Sequence, residues 1–271
     1  MSRLSSTETL LLREDGFVLH ITLNRPEIRN AINSVMWDEL EATFNSIANN
    51  REIRAVVLRG AGGHFCSGGD TKERGAQGGE AKTDGIDPLI ARSERASCLF
   101  ATIDKAPQIV IAVVEGFALG GGLGMVCCSD VAIAATDAKF SLPEATVGVS
   151  PAQIAPYLQR RIGNSELRRL ALTAARFDGV EAQRIGLVHF VGTDSAALDI
   201  LLKEQLGLVR RCSPEGIAST KRVIDAAAKL SRDDFTRFAA QEFVDTLRGP
   251  DGVEGASAAR EKRAPRWASQ D

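Results

Sequence analysis

Short apolar runs alternate with turns and amphipathic segments along the chain. In residues 17–24, FVLHITLN, apolar side chains alternate with more polar ones, a period typical of a half-buried strand. The segments IRAVVLRG, IVIAVVEG and VAIAAT (residues 53–60, 109–116 and 131–136) are continuously apolar at their centres. Runs of this kind predict further strands, buried in the core.

Helical spacing appears between these strands. Pro26 ends the first strand, and Asn33 or Ser34 can cap a helix that runs to about residue 49. Another helix is predicted over about 91–104, and residues 178–191, DGVEAQRIGLVHFV, predict a helix that runs into a short strand. The polar, glycine-rich residues 71–90 predict a surface loop, and the pattern after about residue 195 is helical to the end.

The recurring order of elements is strand, strand, helix. This order predicts an α/β core over residues 1–195, followed by a helical region over residues 196–271.

Bulk composition then excludes several partners. The chain has 271 residues and a net charge of −2, so no overall basic field exists to bind nucleic acid or an anionic membrane. No apolar run approaches the ~20 residues of a membrane span, and we expect a cytoplasmic protein. The five cysteines and three histidines are scattered, which predicts reduced thiols and no metal site.

Two glycine-rich turns, GHFCSGGD (63–70) and FALGGGLG (117–124), each follow a predicted strand. The dinucleotide fingerprint G-x-G-x-x-G fails in both regions, because its last position is occupied by Phe65 or Met125. The phosphate-loop motif is absent. The nucleophile elbow G-x-S-x-G does not match around Ser67, because Phe65 occupies the position of the first glycine of the motif. Dehydrogenase, NTPase and serine-hydrolase functions are therefore disfavoured.

The glycines can instead serve through the backbone. A helix that begins near Gly121 would present free N–H groups at the positive end of its dipole. Donors from two such turns could hold an oxyanion, although tight turns and close helix–sheet packing would also explain these glycines. Glu144, in FSLPEATVG, is a candidate acid or base, or simply an acid at the start of a helix.

At this point four motifs resemble the crotonase, or enoyl-CoA hydratase/isomerase, superfamily. They are LNRPEIRNAIN, GHFCSGGDTKE, EGFALGGGLGMVCCSDVAIAATDAKFSLPE and EKRAPRW, and the resemblance spans about residues 10 to 267. It implies a crotonase-type spiral of ββα units that contains the active site, with a C-terminal helical region that serves in trimerisation. It also implies homotrimers that can pair into hexamers. Substrates would be acyl-CoA thioesters, with no separate cofactor because coenzyme A enters as part of the substrate.

The resemblance also implies roles for individual residues. Backbone N–H groups of Gly69 and Gly121 correspond to the oxyanion donors, and Glu144 corresponds to a catalytic acid or base. The segments that hold coenzyme A correspond to Arg29, Ala31, Ser67, Asp70 and Thr71. Lys262 and Arg263 either reach a neighbouring subunit's CoA phosphates or form a solvated basic tail.

One position departs from the hydratase pattern. Hydratases of this superfamily typically use a second glutamate, and the corresponding residue here is Gly124. Glycine there, followed by VSPAQIAPYLQRRIG, resembles hydratases of 3-substituted glutaconyl-CoA (methylglutaconyl- or isohexenylglutaconyl-CoA) in leucine and terpene breakdown. An enoyl-CoA isomerase and a non-catalytic acyl-CoA-binding protein remain alternatives. Candidate donors to the distal carboxylate are Ser150, Gln153 and Tyr157.

Overall fold

The computed structural model describes residues 6–76 and 87–268. Its strands are β1 (Leu10–Asp15), β2 (Val18–Leu23), β3 (Ala55–Gly60), β4 (Ile109–Val114), β5 (Phe117–Leu119), β6 (Val131–Ala135), β7 (Lys139–Ser141), β8 (Phe177–Asp178) and β9 (Phe190–Gly192). Its α-helices are α1 (Ser34–Ile47), α2 (Thr71–Ala76), α3 (Pro88–Asp104), α4 (Gly121–Cys128), α5 (Ala155–Thr173), α6 (Gly179–Arg184), α7 (Ser195–Arg210), α8 (Pro214–Lys229), α9 (Arg232–Arg248) and α10 (Pro250–Glu261).

The main sheet has the strand order β1-β2-β3-β4-β6-β9. Strand β1 pairs antiparallel with β2, and every later neighbour in this sheet is parallel. The central strands β3 and β4 are buried almost throughout, because helices cover a parallel sheet on both faces. This burial accounts for their continuous apolar sequences.

A smaller sheet lies at the ends of the main strands, with the order β5-β7-β8. A single bridge between Cys66 and Ala118 connects the turn after β3 to β5. The carboxyl ends of β3 and β4 therefore lead into adjacent chain segments, which brings the two glycine-rich turns together.

Helices α1, α3 and α4 pack beside these turns. The side chain of Asn33 caps α1 by accepting a 3.0 Å hydrogen bond from the Met36 N–H, and α1 buries Leu40, Phe44 and Ile47. Helix α4 is buried from its second residue onward, so it is fixed on all sides. This rigid helix supplies one wall of the site described below.

The structure confirms the predicted α/β class, with strand–strand–helix units followed by C-terminal helices. Strand β1 was not predicted, because its sequence LLLRED has no regular alternation and it is an edge strand with mostly exposed side chains. The loop predicted over 71–90 is wrong at both ends, where α2 and the start of α3 form helices, and its residues 77–86 lie outside the described residues. The boundary at residue 195 stays a prediction. No described helix is long and apolar enough to cross a membrane.

Candidate active site

A cavity of about 340 Å³ lies between α3, the start of α4 and the segment that precedes α5. Most of its lining is apolar. The described lining residues are Ile32, Trp37, Gly69, Leu89, Arg92, Ser93, Ala96, Phe100, Gly121, Glu144, Val149, Ser150, Pro151, Gln153 and Ile154. The cavity therefore contains Gly69, Gly121 and Glu144, which are far apart in the sequence.

The Gly69 turn is held by backbone pairing with the segment before α1. The Ile32 N–H donates to the Gly68 carbonyl at 2.8 Å, and the Asp70 N–H donates to the Ile32 carbonyl at 2.8 Å. In this parallel bridge the N–H of Gly69 points away from Ile32. The Gly69 nitrogen lies close to Gly121, because a Cβ built on Gly121 would lie 4.0 Å from it.

The second N–H comes from the first residue of α4. Gly121 begins the helix, and the first N–H groups of a helix have no carbonyl partner within it. The two amide nitrogens thus lie close together at the positive end of the α4 dipole. This arrangement can stabilise negative charge that develops on a carbonyl oxygen between them.

Glu144 lies directly beside this helix start. It belongs to a 3₁₀ turn, Pro143–Val147, and its side chain is half-buried with the Oε2 atom inaccessible to solvent. A Cβ built on Gly120 would lie only 2.7 Å from Glu144 Oε1. Gly120 also has φ +47° and ψ −117°, a conformation that L residues rarely adopt. Glycine at 120 is therefore required both by the backbone and by the position of the carboxylate.

Position 124 is closed by apolar side chains. A Cβ built on Gly124 would lie 2.3 Å from Ile154 Cγ2 and 3.0 Å from Phe100 Cε1. Ile154 and Phe100 thus occupy the space in which a side chain at this position would begin. Glu144 is the sole carboxylate among the described lining residues.

The residues assigned to coenzyme A by resemblance lie in the two paired segments beside the cavity. Arg29 has a left-handed backbone and stacks its guanidinium 5.1 Å from the Phe117 ring centroid. Ser67 donates from its backbone N–H to the Arg29 carbonyl and from its hydroxyl to the Ile28 carbonyl. Thr71 is exposed at the start of α2. Their contact with coenzyme A stays a prediction.

Asp70 and Ala31 are linked through Arg25. The Arg25 guanidinium donates to the Ala31 carbonyl at 2.7 Å and to the Asp70 carboxylate at 3.1 Å. Desolvation alone would raise the pKa of Asp70, but hydrogen bonds from the Lys72 N–H and from Arg25 outweigh it and lower that pKa. Asp70 is thus an ionised residue that fixes the turn.

The structure separates the three candidate donors for a distal carboxylate. Ser150 and Gln153 line the cavity, and the Gln153 amide donates to the Ser93 hydroxyl. Tyr157 is absent from the described lining. Its ring centroid lies 6.3 Å from that of Phe100, which itself lines the cavity. Burial, together with nearby Cys128 and Asp104, raises the pKa of Tyr157 to about 12.

Sequence reasoning missed Arg92, which lines the cavity. The spacing of Arg92, Ala96 and Phe100 by four residues placed them on one face of a helix, and this signal was available. It did not reveal that this face is turned towards Gly121.

Of the two basic residues near the C-terminus, Arg263 is engaged within its own chain. It forms a two-pronged ion pair with Glu254, at 2.6 and 3.0 Å. Lys262 is exposed and ends α10 in a left-handed conformation. Contact of either residue with a neighbouring subunit stays a prediction.

Comparison with known proteins gives a family match. The Enoyl-CoA hydratase/isomerase family model matches residues 13–270. A probable enoyl-CoA hydratase of Rhizobium meliloti (strain 1021) is 34% identical over 262 residues, covering 95% of this chain and 97% of the relative. The mitochondrial Delta(3,5)-Delta(2,4)-dienoyl-CoA isomerase of Pongo abelii is 32% identical over 259 residues, covering 91% of this chain and 77% of the relative.

A solved structure gives a higher identity. AtuE of Pseudomonas aeruginosa is 46% identical and superimposes with a TM-score of 0.92, covering 97% of this chain and all of that one. Because the family model spans nearly the whole chain and both kinds of comparison agree, this protein belongs to the enoyl-CoA hydratase/isomerase family.

Proposed function

We propose that this protein is a hydratase that adds water across the 2,3 double bond of an enoyl-CoA, and that the acyl group is a 3-substituted glutaconyl group. The observation that carries the hydratase proposal is the position of Glu144 beside the paired N–H groups of Gly69 and Gly121. Addition of water to the double bond of an enoyl thioester needs these groups: two donors for the carbonyl oxygen and one base for the water.

The amides of Gly69 and Gly121 would bind the thioester oxygen. As water attacks C3, the electrons of the double bond move towards that oxygen, and the two N–H groups stabilise the enolate. Loss of one donor in such a site typically costs about 3–4 kcal/mol of transition-state stabilisation. Because these donors are backbone groups on fixed turns, they require no reorganisation during the reaction.

Glu144 would carry out both proton transfers. Its carboxylate accepts a proton from water while the water oxygen bonds to C3. The protonated Glu144 then gives a proton to C2, which consumes the enolate and restores the carboxylate. Since one side chain serves both steps, hydroxyl and hydrogen should add to the same face of the double bond.

The closed position 124 supports a branched acyl group. Ile154 and Phe100 present apolar surface where a second acid would otherwise stand. A substituent on C3 can pack against this surface, whereas a second carboxylate would place a charge beside it. The acyl-CoA would lie with its coenzyme A along the segments around Arg29 and Ser67, in a homotrimer or homohexamer.

Isomerisation is the second candidate. A single acid suffices to move a proton between C2 and C4, and a curated relative at 32% identity is a dienoyl-CoA isomerase. The same Glu144 would then act on the substrate directly and no water would enter.

The test is Glu144→Gln in purified protein, assayed with 3-methylglutaconyl-CoA. We expect the hydration rate to fall about 10²- to 10⁴-fold, as for loss of a general base. Glu115→Gln is the matched control, because Glu115 is also half-buried but bonds to Ser195, outside the described lining of the cavity. Near-wild-type hydration by the Glu144 variant would rule out this role.

The wild-type protein separates the other functions. Conversion of a 3-enoyl-CoA to its 2-enoyl isomer without any hydration would favour the isomerase. Binding of acyl-CoA with no turnover of either substrate would favour a non-catalytic member of the family.

A further inference from the structure

We propose that Arg92 binds the distal carboxylate of the acyl chain and so selects acyl-CoA substrates that end in an acid. This inference rests on the proposed function, because it specifies the substrate of that same cavity. Arg92 is the one cationic side chain among the described lining residues.

The position of Arg92 fits an acyl group anchored by its thioester. Leu89, Arg92, Ser93, Ala96 and Phe100 form the face of α3 that lines the cavity. Phe100 marks the catalytic end, since a Cβ on Gly121 would lie 3.8 Å from its ring. Eight residues of helix place the Arg92 Cα about 12 Å from the Phe100 Cα. The Arg92 backbone is therefore about two helical turns away from the Phe100 backbone along this wall of the cavity.

Contacts with Glu73 and Trp37 hold the guanidinium in place. Arg92 Nη2 donates to Glu73 Oε2 at 3.0 Å, and its guanidinium lies 5.4 Å from the Trp37 ring centroid. Glu73 in turn accepts from the Ser34 N–H at 3.0 Å and from the Ser34 hydroxyl at 2.6 Å. These contacts orient Arg92 through its neighbours rather than through a bound ligand.

The charge balance of the cavity favours an anionic acyl group held at this end. A guanidinium offers five N–H donors in a planar fork that matches a carboxylate. The charged groups facing a bound acid would be Arg92, Glu73 behind it, and Glu144 at the far end. Attraction to Arg92 and repulsion by Glu144 both orient the acid away from the reacting carbons. In so apolar a cavity, a carboxylate without such a partner would be costly to bury.

The indole of Trp37 is a second donor at the same place. Its Nε1 is buried and has no hydrogen-bond partner within the described part of the chain. Buried donors usually have a hydrogen-bond partner, either a protein group or an ordered water. A carboxylate bound beside Arg92 would bring an acceptor to this end of the cavity.

The test compares two acyl-CoA ligands that differ only at the far end. These are 3-methylglutaconyl-CoA and the same molecule with its distal carboxylate converted to an amide. The proteins are wild type, Arg92→Met, Arg92→Lys and Arg95→Met. Arg95 is the matched control, because it lies on the same helix but is exposed and paired with Asp38. Thermal unfolding of each variant shows that it is folded.

Arg92→Met should lower kcat/KM for the acid about 10- to 100-fold, the range for loss of a hydrogen bond to a charged group. It should change kcat/KM for the amide less than about 3-fold, within the spread of surface substitutions. Arg92→Lys should restore part of the preference, and Arg95→Met should leave both values unchanged. An equal loss for acid and amide would overturn the proposal, because Arg92 would then act on coenzyme A or on the fold.

Binding of the saturated analogues keeps this test independent of turnover. Calorimetry with 3-methylglutaryl-CoA and its distal amide should give the same acid preference in wild type and its loss in Arg92→Met. If wild type shows this preference but hydrates nothing, the proposed hydratase function fails and the role of Arg92 stands. If Arg92→Met is unstable, Arg92→Met/Glu73→Gln removes both charges, and retention of the acid preference in that variant would overturn the proposal.

Discussion

A methyl group at position 124 has no room in the folded protein. Gly124→Ala would place its Cβ 2.3 Å from Ile154 Cγ2, 3.0 Å from Phe100 Cε1 and 3.1 Å from Ile154 Cβ. Contacts below 3.0 Å force a neighbour to move, and both neighbours are almost fully buried. The substitution therefore overpacks the wall that replaces a second catalytic acid.

Two opposing contributions set the change in unfolding free energy. Alanine is favoured over glycine in a helix by about 1 kcal/mol, whereas overpacking a core costs about 1–3 kcal/mol. A contact of 2.3 Å puts the overpacking cost at about 2–3 kcal/mol, so we expect Gly124→Ala to lower the unfolding free energy by about 1–2 kcal/mol in total. In the opposite direction, Gly207→Ala in α7 should raise it by about 0.5–1 kcal/mol, because no atom lies within 4 Å of its added Cβ.

Urea titrations followed by circular dichroism measure these differences, at one protein concentration because the resemblance implies an oligomer. Ile154→Ala removes the Cγ2 atom that the new methyl group meets. In that background Gly124→Ala should become close to neutral, so the double-mutant cycle should show a favourable coupling of about 1–2 kcal/mol. If Gly124→Ala instead stabilises the protein as Gly207→Ala does, or shows no coupling to Ile154, the account of position 124 is wrong.

Two further predictions concern Glu144 and the C-terminal segment. Gly120→Ala should displace Glu144 and lower kcat about 100-fold, whereas Gly16→Ala, also at positive φ but with open space around it, should leave kcat unchanged. Hydrogen bonds from Arg263 and Arg266 lower the pKa of Glu254 to about 2, so its contribution to stability is present above the unfolded pKa of about 4.5. This contribution should be lost as pH falls towards 2, and melting temperatures measured from pH 5 to 2 should fall less steeply for Glu254→Gln. An identical decline for wild type and variant would contradict that assignment.

Much of the fold could be predicted because burial repeats with the period of each element. The helix at Ser34–Ile47 was predicted from its Asn33 cap and its apolar face, and both features are present. Buried strands such as Ile109–Val114 were predicted from continuous apolar sequence. Strand Leu10–Asp15 could not be predicted this way, because it is held by pairing with Val18–Leu23 while most of its side chains are exposed. This strand is set by pairing with Val18–Leu23 rather than by a pattern in its own sequence.

The candidate site was predictable only where a local motif contains it. Gly69, Gly121 and Glu144 each stand in a turn that the sequence marks, and the cavity contains all three. Ile154 and Arg92 could not be assigned, since an isoleucine just before a helix and an arginine on a helix are both ordinary in isolation. Tyr157 looked equivalent to Gln153 in the sequence, yet it lies behind Phe100.

The sequence by itself determined the periodic elements, the positions of the two glycine-rich turns and the absence of a carboxylate at position 124. The tertiary structure alone decided what stands in place of that carboxylate and which charge faces the far end of the cavity. The physical reason is that periodicity describes how a segment meets its own neighbours, whereas Ile154, Phe100 and Arg92 meet Gly124 and Trp37 only through helix packing between distant segments.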